Sequence, residues 1–129
     1  MPRAKAPSKL TLDDIRKIGL ALPDVVESTA YGAFALKVRG DLLACLATHK
    51  TAELESLVVR MDFDQRAALM ADAPETYYLT DHYVGYPAVL VRPSTMSADQ
   101  MRDLLGSAWK FVTSQKKKKP KQKESKKSA

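Results

Sequence analysis

Ala33-Phe34-Ala35-Leu36-Lys37-Val38-Arg39-Gly40-Asp41-Leu42-Leu43-Ala44-Cys45-Leu46-Ala47 holds two extended segments and the turn between them. Phe34, Leu36 and Val38 recur with the period of two that puts alternate side chains on one face of a strand, leaving Ala35, Lys37 and Arg39 on the other. Gly40-Asp41 breaks the alternation, and residues 42–47 follow as an apolar run of strand length. The pair therefore predicts an antiparallel hairpin with Arg39 and Gly40 at its tip. Outward from it, the polar stretch 48–55 suits a second hairpin loop before a strand at about 56–61, and 25–31 suits an edge strand on the other side.

Helices flank this block. Thr11 with Asp14 three residues on has the form of a capping box, and the apolar spacing from Leu12 to Leu22 stops at Pro23, which predicts a helix over 12–22. Asp62 with Gln65 opens a second helix to about Ala73. An extended piece at 77–79 and a strand at about 86–92 follow. Ser97 with Gln100 opens the last helix, in which Met101, Leu104, Leu105, Ala108 and Val112 keep the spacing of one packed face to about residue 114. This order predicts an α+β fold, an antiparallel β-sheet with helices packed on one face.

The net charge of +6 is unevenly spread. Residues 116–129 hold eight lysines against Glu124, and residues 1–9 hold Arg3, Lys5 and Lys9. Only 10 of the 21 cations therefore fall within residues 10–115, against 14 of the 15 acidic residues. That middle part is expected to fold as one mildly acidic domain, between a flexible N-terminus (1–9) and a disordered lysine-rich tail (116–129). One cysteine, Cys45, excludes an intrachain disulfide, and His49 and His82 do not form a metal-binding spacing with it. The basic start lacks the apolar run of a secretory signal, so a cytoplasmic location is expected. Nothing in the sequence calls for a cofactor or a metal.

Leu22-Pro23-Asp24-Val25, the segment 33–40, Tyr78-Leu79-Thr80-Asp81-His82-Tyr83 and Tyr86-Pro87-Ala88-Val89-Leu90-Val91 arrive in an order that resembles the MmcQ/YjbR-like family over about residues 10–113. The resemblance is most specific at His82-Tyr83-x-Gly85-Tyr86-Pro87 and in the final helix with Trp109. It implies a frataxin-like α+β fold and a DNA-binding role in which two β-hairpin wings approach the duplex. It implies no catalytic residues.

On that reading Lys37, Arg39 and Lys50 would meet phosphates from the wings, and Lys116, Lys117, Lys118 and Lys119 would add attraction to DNA or another polyanion through counterion release. The plainer reading is that cations on an open sheet face keep it soluble. The alternative function is a protein-interaction or small-ligand module using the Tyr77–Tyr86 region, with Tyr78, His82, Tyr83 and Tyr86 as its surface. Adjacency of Asp81, His82 and Tyr83 is poor evidence for catalysis, because a nucleophile and oxyanion donors would have to come from elsewhere. The protein is accordingly expected not to be an enzyme; a deep pocket holding His82 beside another titratable side chain would revive that possibility. Cys45, in the most apolar strand, reads as an inert core thiol, and Trp109 as a packing residue.

Overall fold

A computed structural model describes residues 10–53 and 55–122. The elements are α1 (Leu12–Leu20), β1 (Val25–Ala30), β2 (Ala33–Val38), β3 (Asp41–Leu46), β4 (Leu57–Arg60), α2 (Phe63–Asp72), β5 (Tyr77–Tyr78), β6 (Ala88–Val91) and α3 (Ala98–Gln122). All six strands join one antiparallel sheet in the order β1-β2-β3-β4-β6-β5, as an α+β fold requires.

Two of the turns have only two residues, and in each both residues have left-handed backbone: Tyr31 (φ 55°) with Gly32 (φ 77°), and Arg39 (φ 53°) with Gly40 (φ 86°). Such turns match the twist of paired strands, and glycine enters them at no steric cost. They fix the β1-β2-β3 register without slack. Between β2 and β3 the pairing shifts, with Leu36 opposite Ala44 but Lys37 opposite Leu42. The bulge leaves Leu43 as an extra residue in β3, so Leu43 and Ala44 both enter the main core while Cys45 turns to the other face.

The main core lies between the sheet and the two helices α1 and α3. Leu36, Val38, Leu43, Leu57, Val59, Val89 and Val91 meet Ile15 of α1 and Met101, Leu104, Leu105, Ala108 and Val112 of α3, the helical spacing read from the sequence. Trp109 packs at its margin and donates its indole N–H to the Pro23 carbonyl (2.8 Å). Both capping boxes form: Thr11 with Asp14 (3.1 and 3.0 Å), and Ser97 with Gln100 (2.8 and 3.1 Å). Asp62 caps α2 by accepting from the Gln65 N–H (2.7 Å).

Three expectations need correction. The first helix ends at Leu20, where Gly19 and Ala21 begin the turn toward Pro23. The strand expected at about 86–92 spans Ala88–Val91, because the chain before it, 81–87, is turns and bends in which the Tyr83 and Val84 N–H groups bond back to the Thr80 carbonyl (2.9 and 3.1 Å). The last helix does not close near 114; its backbone continues to Gln122. Lysine is a good helix former, and a helix already nucleated on a packed core extends at little further cost. The expected flexible N-terminus, 1–9, and the rest of the expected tail, 123–129, lie outside the described residues. Among the described residues no helix is long and apolar enough to cross a membrane.

Candidate functional site

The face of the sheet away from α1 and α3 is only partly covered. Ala35, Cys45, Val58, Ala88 and Leu90 form a second, smaller core there, roofed by Tyr83 from the 79–87 connection. Beside that roof a cleft of about 660 Å³ is lined by Tyr31, Leu42, Cys45, His49, Val58, Arg60, His82, Tyr83 and Tyr86, among others. None of its lining residues is acidic. Tyr31 is 83% exposed and Tyr86 55%, so both present rings to solvent at the rim.

Two connections distant in sequence meet at the centre of this wall. His49, just after β3, stacks on His82, between β5 and β6, with ring centroids 3.6 Å apart and planes 10° from parallel. Tyr83 stands edge-on to His82 at 4.8 Å, and its hydroxyl accepts from the His49 backbone N–H at 3.4 Å. Thr51 and Thr80 hydroxyls bond at 2.8 Å, closing the same junction. From behind, Arg66 of α2 donates to the carbonyls of Tyr86 (2.8 Å), Ala88 (3.2 Å) and Val84 (3.2 Å), which fixes the backbone of the 83–88 segment.

The Thr51 N–H donates to Nδ1 of His49 (3.2 Å), so Nδ1 is an acceptor and the proton of the neutral ring sits on Nε2. Loss of hydration, then the neighbouring His82, then Lys50 hold the His49 imidazole below its ordinary value of 6.5. Unfolded chains take up a proton there near pH 6.5 while the folded ring resists it. The unfolded state then binds more protons, and stability falls as the pH drops below 6.5. Thermal unfolding followed from pH 7.5 to 5 should show this decline, and His49→Gln should flatten it.

Catalytic parts are sparse around the pair. The pocket that would revive an enzyme reading is present, since His82 lies beside another imidazole. Yet Thr51 Oγ1 is already bonded to His49 Nδ1 (2.8 Å) and to Thr80, and no hydrogen bond joins Asp81 to His82 among the described residues. Cys45 is buried, and burial pushes its thiol above the ordinary 9.0, away from the reactive thiolate. Among the described residues no group of three or more His, Cys, Asp or Glu side chains could hold a metal ion.

The residues read from the sequence fall into separate places. His82, Tyr83 and Tyr86 do line one cleft, although Tyr83 serves mainly as buried roof. Tyr78 belongs to another cluster: its hydroxyl meets Ser56 Oγ (2.5 Å) and the Glu53 N–H (2.8 Å), and Arg92 lies over its ring at 4.2 Å. Arg39 does sit at the hairpin tip, but its guanidinium grips Asp24 through Nε (3.0 Å) and Nη2 (2.8 Å). Lys37 is half-buried on β2, opposite Leu42. Lys50 lies beyond the other end of β3, so a six-residue strand, about 20 Å, separates it from the Arg39 tip. These three cations do not form one phosphate-binding row. Tyr31 and Arg60 are cleft residues that sequence reading passes over.

Comparison with known proteins agrees with this architecture. The YjbR family model matches residues 20–111. The chain belongs to the YjbR family. Uncharacterized proteins of Mycobacterium bovis and Mycobacterium tuberculosis, Mb2600 and Rv2570, are each 31% identical over 113 residues, covering 77% of this chain and 85% of theirs. The crystal structure of Deinococcus radiodurans protein DR2400, a DUF419 domain, shares the fold at a TM-score of 0.65 and 22% identity, covering 85% of this chain and 83% of that one. Every cleft residue named above lies inside the YjbR match, whereas the lysine run from 116 lies outside it.

Proposed function

We propose that this YjbR-family chain is a non-enzymatic binding module whose working surface is the aromatic cleft on the open face of the sheet, and that its ligand is a small molecule. The observation that carries the reading is the cleft itself: about 660 Å³, within the range of small-molecule sites, with flat rings at its rim and an apolar floor. Binding is favoured over catalysis because the hydroxyls near His49 are engaged in holding two connections together, and the thiol is buried. The Tyr77–Tyr86 surface anticipated from sequence thereby narrows to His82, Tyr83 and Tyr86, joined by Tyr31 and His49.

Tyr31 supports the same reading from its backbone. Two-residue turns of this kind favour asparagine, aspartate or glycine, and an ordinary side chain in left-handed backbone costs roughly 1–2 kcal/mol. A tyrosine held there with 83% of its surface exposed gains no burial that offsets the cost. Its ring is explained by something it contacts. Tyr31→Asn is therefore expected to raise thermal stability by up to about 1–2 kcal/mol while removing cleft binding. Fragment screening by amide chemical-shift mapping checks this: shifts clustered at Tyr31, His49, His82 and Tyr86 in the wild type should vanish in the more stable variant. Binding that persists unchanged in Tyr31→Asn, or shifts scattered away from the cleft, would overturn the reading.

Association with DNA or another polyanion is a second, separable property, proposed for the lysine run beginning at Lys116–Lys119. It needs no hairpin wings, since Arg39 is engaged by Asp24 and Lys50 lies at the opposite end of the sheet. Attraction of this kind is charge without shape and weakens steeply with added salt.

A further inference from the structure

Arg60 is the exception among the arginines whose surroundings are described. Arg16, Arg39, Arg92 and Arg102 are each paired with a carboxylate, and Arg66 donates to three backbone carbonyls. Arg60 ends β4 on the cleft side, and its Nε is buried with no hydrogen-bond partner. A buried N–H of a charged group without an acceptor is costly, and native proteins keep such groups where something else supplies the acceptor. Its cationic form is weakly supported. Loss of hydration disfavours the charge, Asp41 favours it, and the Phe111 ring lies 5.6 Å from the guanidinium carbon.

The cleft around Arg60 supplies no acceptor of matching strength. Its polar lining consists of phenols, imidazoles, a threonine and a thiol, with no carboxylate among them. Nε is closed to solvent as the side chain lies, so a ligand oxyanion would pair with Nε–H and the neighbouring Nη–H together, as a carboxylate or phosphate does with a guanidinium edge, once the side chain turns toward the cleft. The other recognition elements are flat: Tyr31 and Tyr86 expose their rings, and the His82 ring stacks on His49. These walls accept an aromatic plane better than a flexible chain.

Resting on the binding-module reading above, we infer that the cleft takes an aromatic ring carrying an oxyanion, with Arg60 as the anion anchor and the Tyr31, His82 and Tyr86 rings as the flat wall. The test is ligand-observed NMR and calorimetry on the full chain with four probes: 2-naphthoate, 2-naphthyl phosphate, the neutral 2-naphthalenemethanol, and inorganic phosphate. The two aromatic anions should bind at least about tenfold more tightly than the neutral analogue, because a charge-assisted pair is at stake. Arg60→Gln should erase that advantage without weakening the neutral probe, and Arg60→Lys should restore little of it, since it keeps the charge but lacks the fork. The ratio of the two anions tells a carboxylate ligand from a phosphate one.

Equal binding of the neutral and anionic rings, unaffected by Arg60→Gln, would overturn the anchor and leave the cleft reading standing. Tight binding of inorganic phosphate alone would overturn the aromatic half. Failure of all four probes to bind would count against the anchor and the cleft together. Should Arg60→Gln not fold, the salt dependence of wild-type binding decides: affinity for the anions that does not fall with salt while the neutral probe stays constant would sink the anchor.

Discussion

Leu36→Ala is expected to destabilise the fold by ~2–5 kcal/mol, the usual cost of a large-to-small change at a fully buried site. Leu36 is wholly buried in β2, between Glu27 of β1 and Ala44 of β3. Its side chain presses on α1 at Gly19. A Cβ built at position 19 would stand 2.3 Å from Leu36 Cδ1, far inside contact distance. The helix sits this close to the sheet because position 19 has no side chain. Gly19→Ala alone gains about 1 kcal/mol of helix propensity but meets an overpacking cost of roughly 1–3 kcal/mol, so a net loss of up to ~2 kcal/mol is expected. Together the two substitutions should cost less than their sum, since the new methyl enters the hole left by leucine. Chemical denaturation of the two single variants and the double variant measures that coupling. Strict additivity would mean that α1 shifts away from the sheet instead.

The second large effect is at Arg92, whose guanidinium gathers two separate stretches of chain, one at Glu53 and one at residues 74–78. Nε and Nη2 fork onto the Glu53 carboxylate (2.8 and 2.7 Å), Nη1 reaches the Glu75 and Pro74 carbonyls (3.1 and 3.3 Å), and the plane covers Tyr78 at 4.2 Å. Arg92 holds the Glu53 carboxyl below the ordinary carboxylate range, but that pair faces solvent and contributes little to stability. The carbonyl bonds and the covered ring carry the effect. Arg92→Ala is expected to cost ~1–3 kcal/mol. The loss should be local: β5 has only two residues and pairs with β6 alone, so amide hydrogen exchange at Tyr77 and Tyr78 should accelerate before that of Val58 or Val59. Arg92→Lys should recover little, because a point charge cannot replace the fork. Unchanged exchange at β5 would assign its order to the Tyr78–Ser56 hydroxyl bond instead.

How much of this was legible in the sequence follows from the range of each interaction. Local signals were accurate: the Thr11/Asp14 and Ser97/Gln100 boxes, the 34/36/38 alternation, and the Arg39-Gly40 turn all depend on residues within a few positions of one another. The bulge at Leu43 was hidden, since an apolar run of strand length looks the same with or without an extra residue. The cleft was half visible. His82, Tyr83 and Tyr86 lie together in sequence, whereas the stacking of His82 on His49 is a product of strand order and leaves no local trace. Arg60 could have been found: alternation from Val58 puts it on the same face as the second core, and an arginine there needs a partner. Arg39 was legible as a tip residue but its partner was not, because Asp24 is brought to it only by the pairing of β1 with β2.

The cleft's two sides are built by different means. One side is sheet, joined by two-residue turns that tolerate neither insertion nor loss without breaking strand register. The other is the 79–87 connection, held by Arg66 at the Val84 and Tyr86 carbonyl oxygens and by the Thr80 and Tyr83 side chains, which leaves the exposed side chains at 82 and 86 outside that framework. A scaffold divided in this way can be re-tuned piecemeal. If the cleft binds as proposed, exchanging the exposed side chains at His82 and Tyr86, but not the buried Tyr83, would alter what is recognised while the strands and helices stay as they are, which makes those positions the place for an engineer to begin.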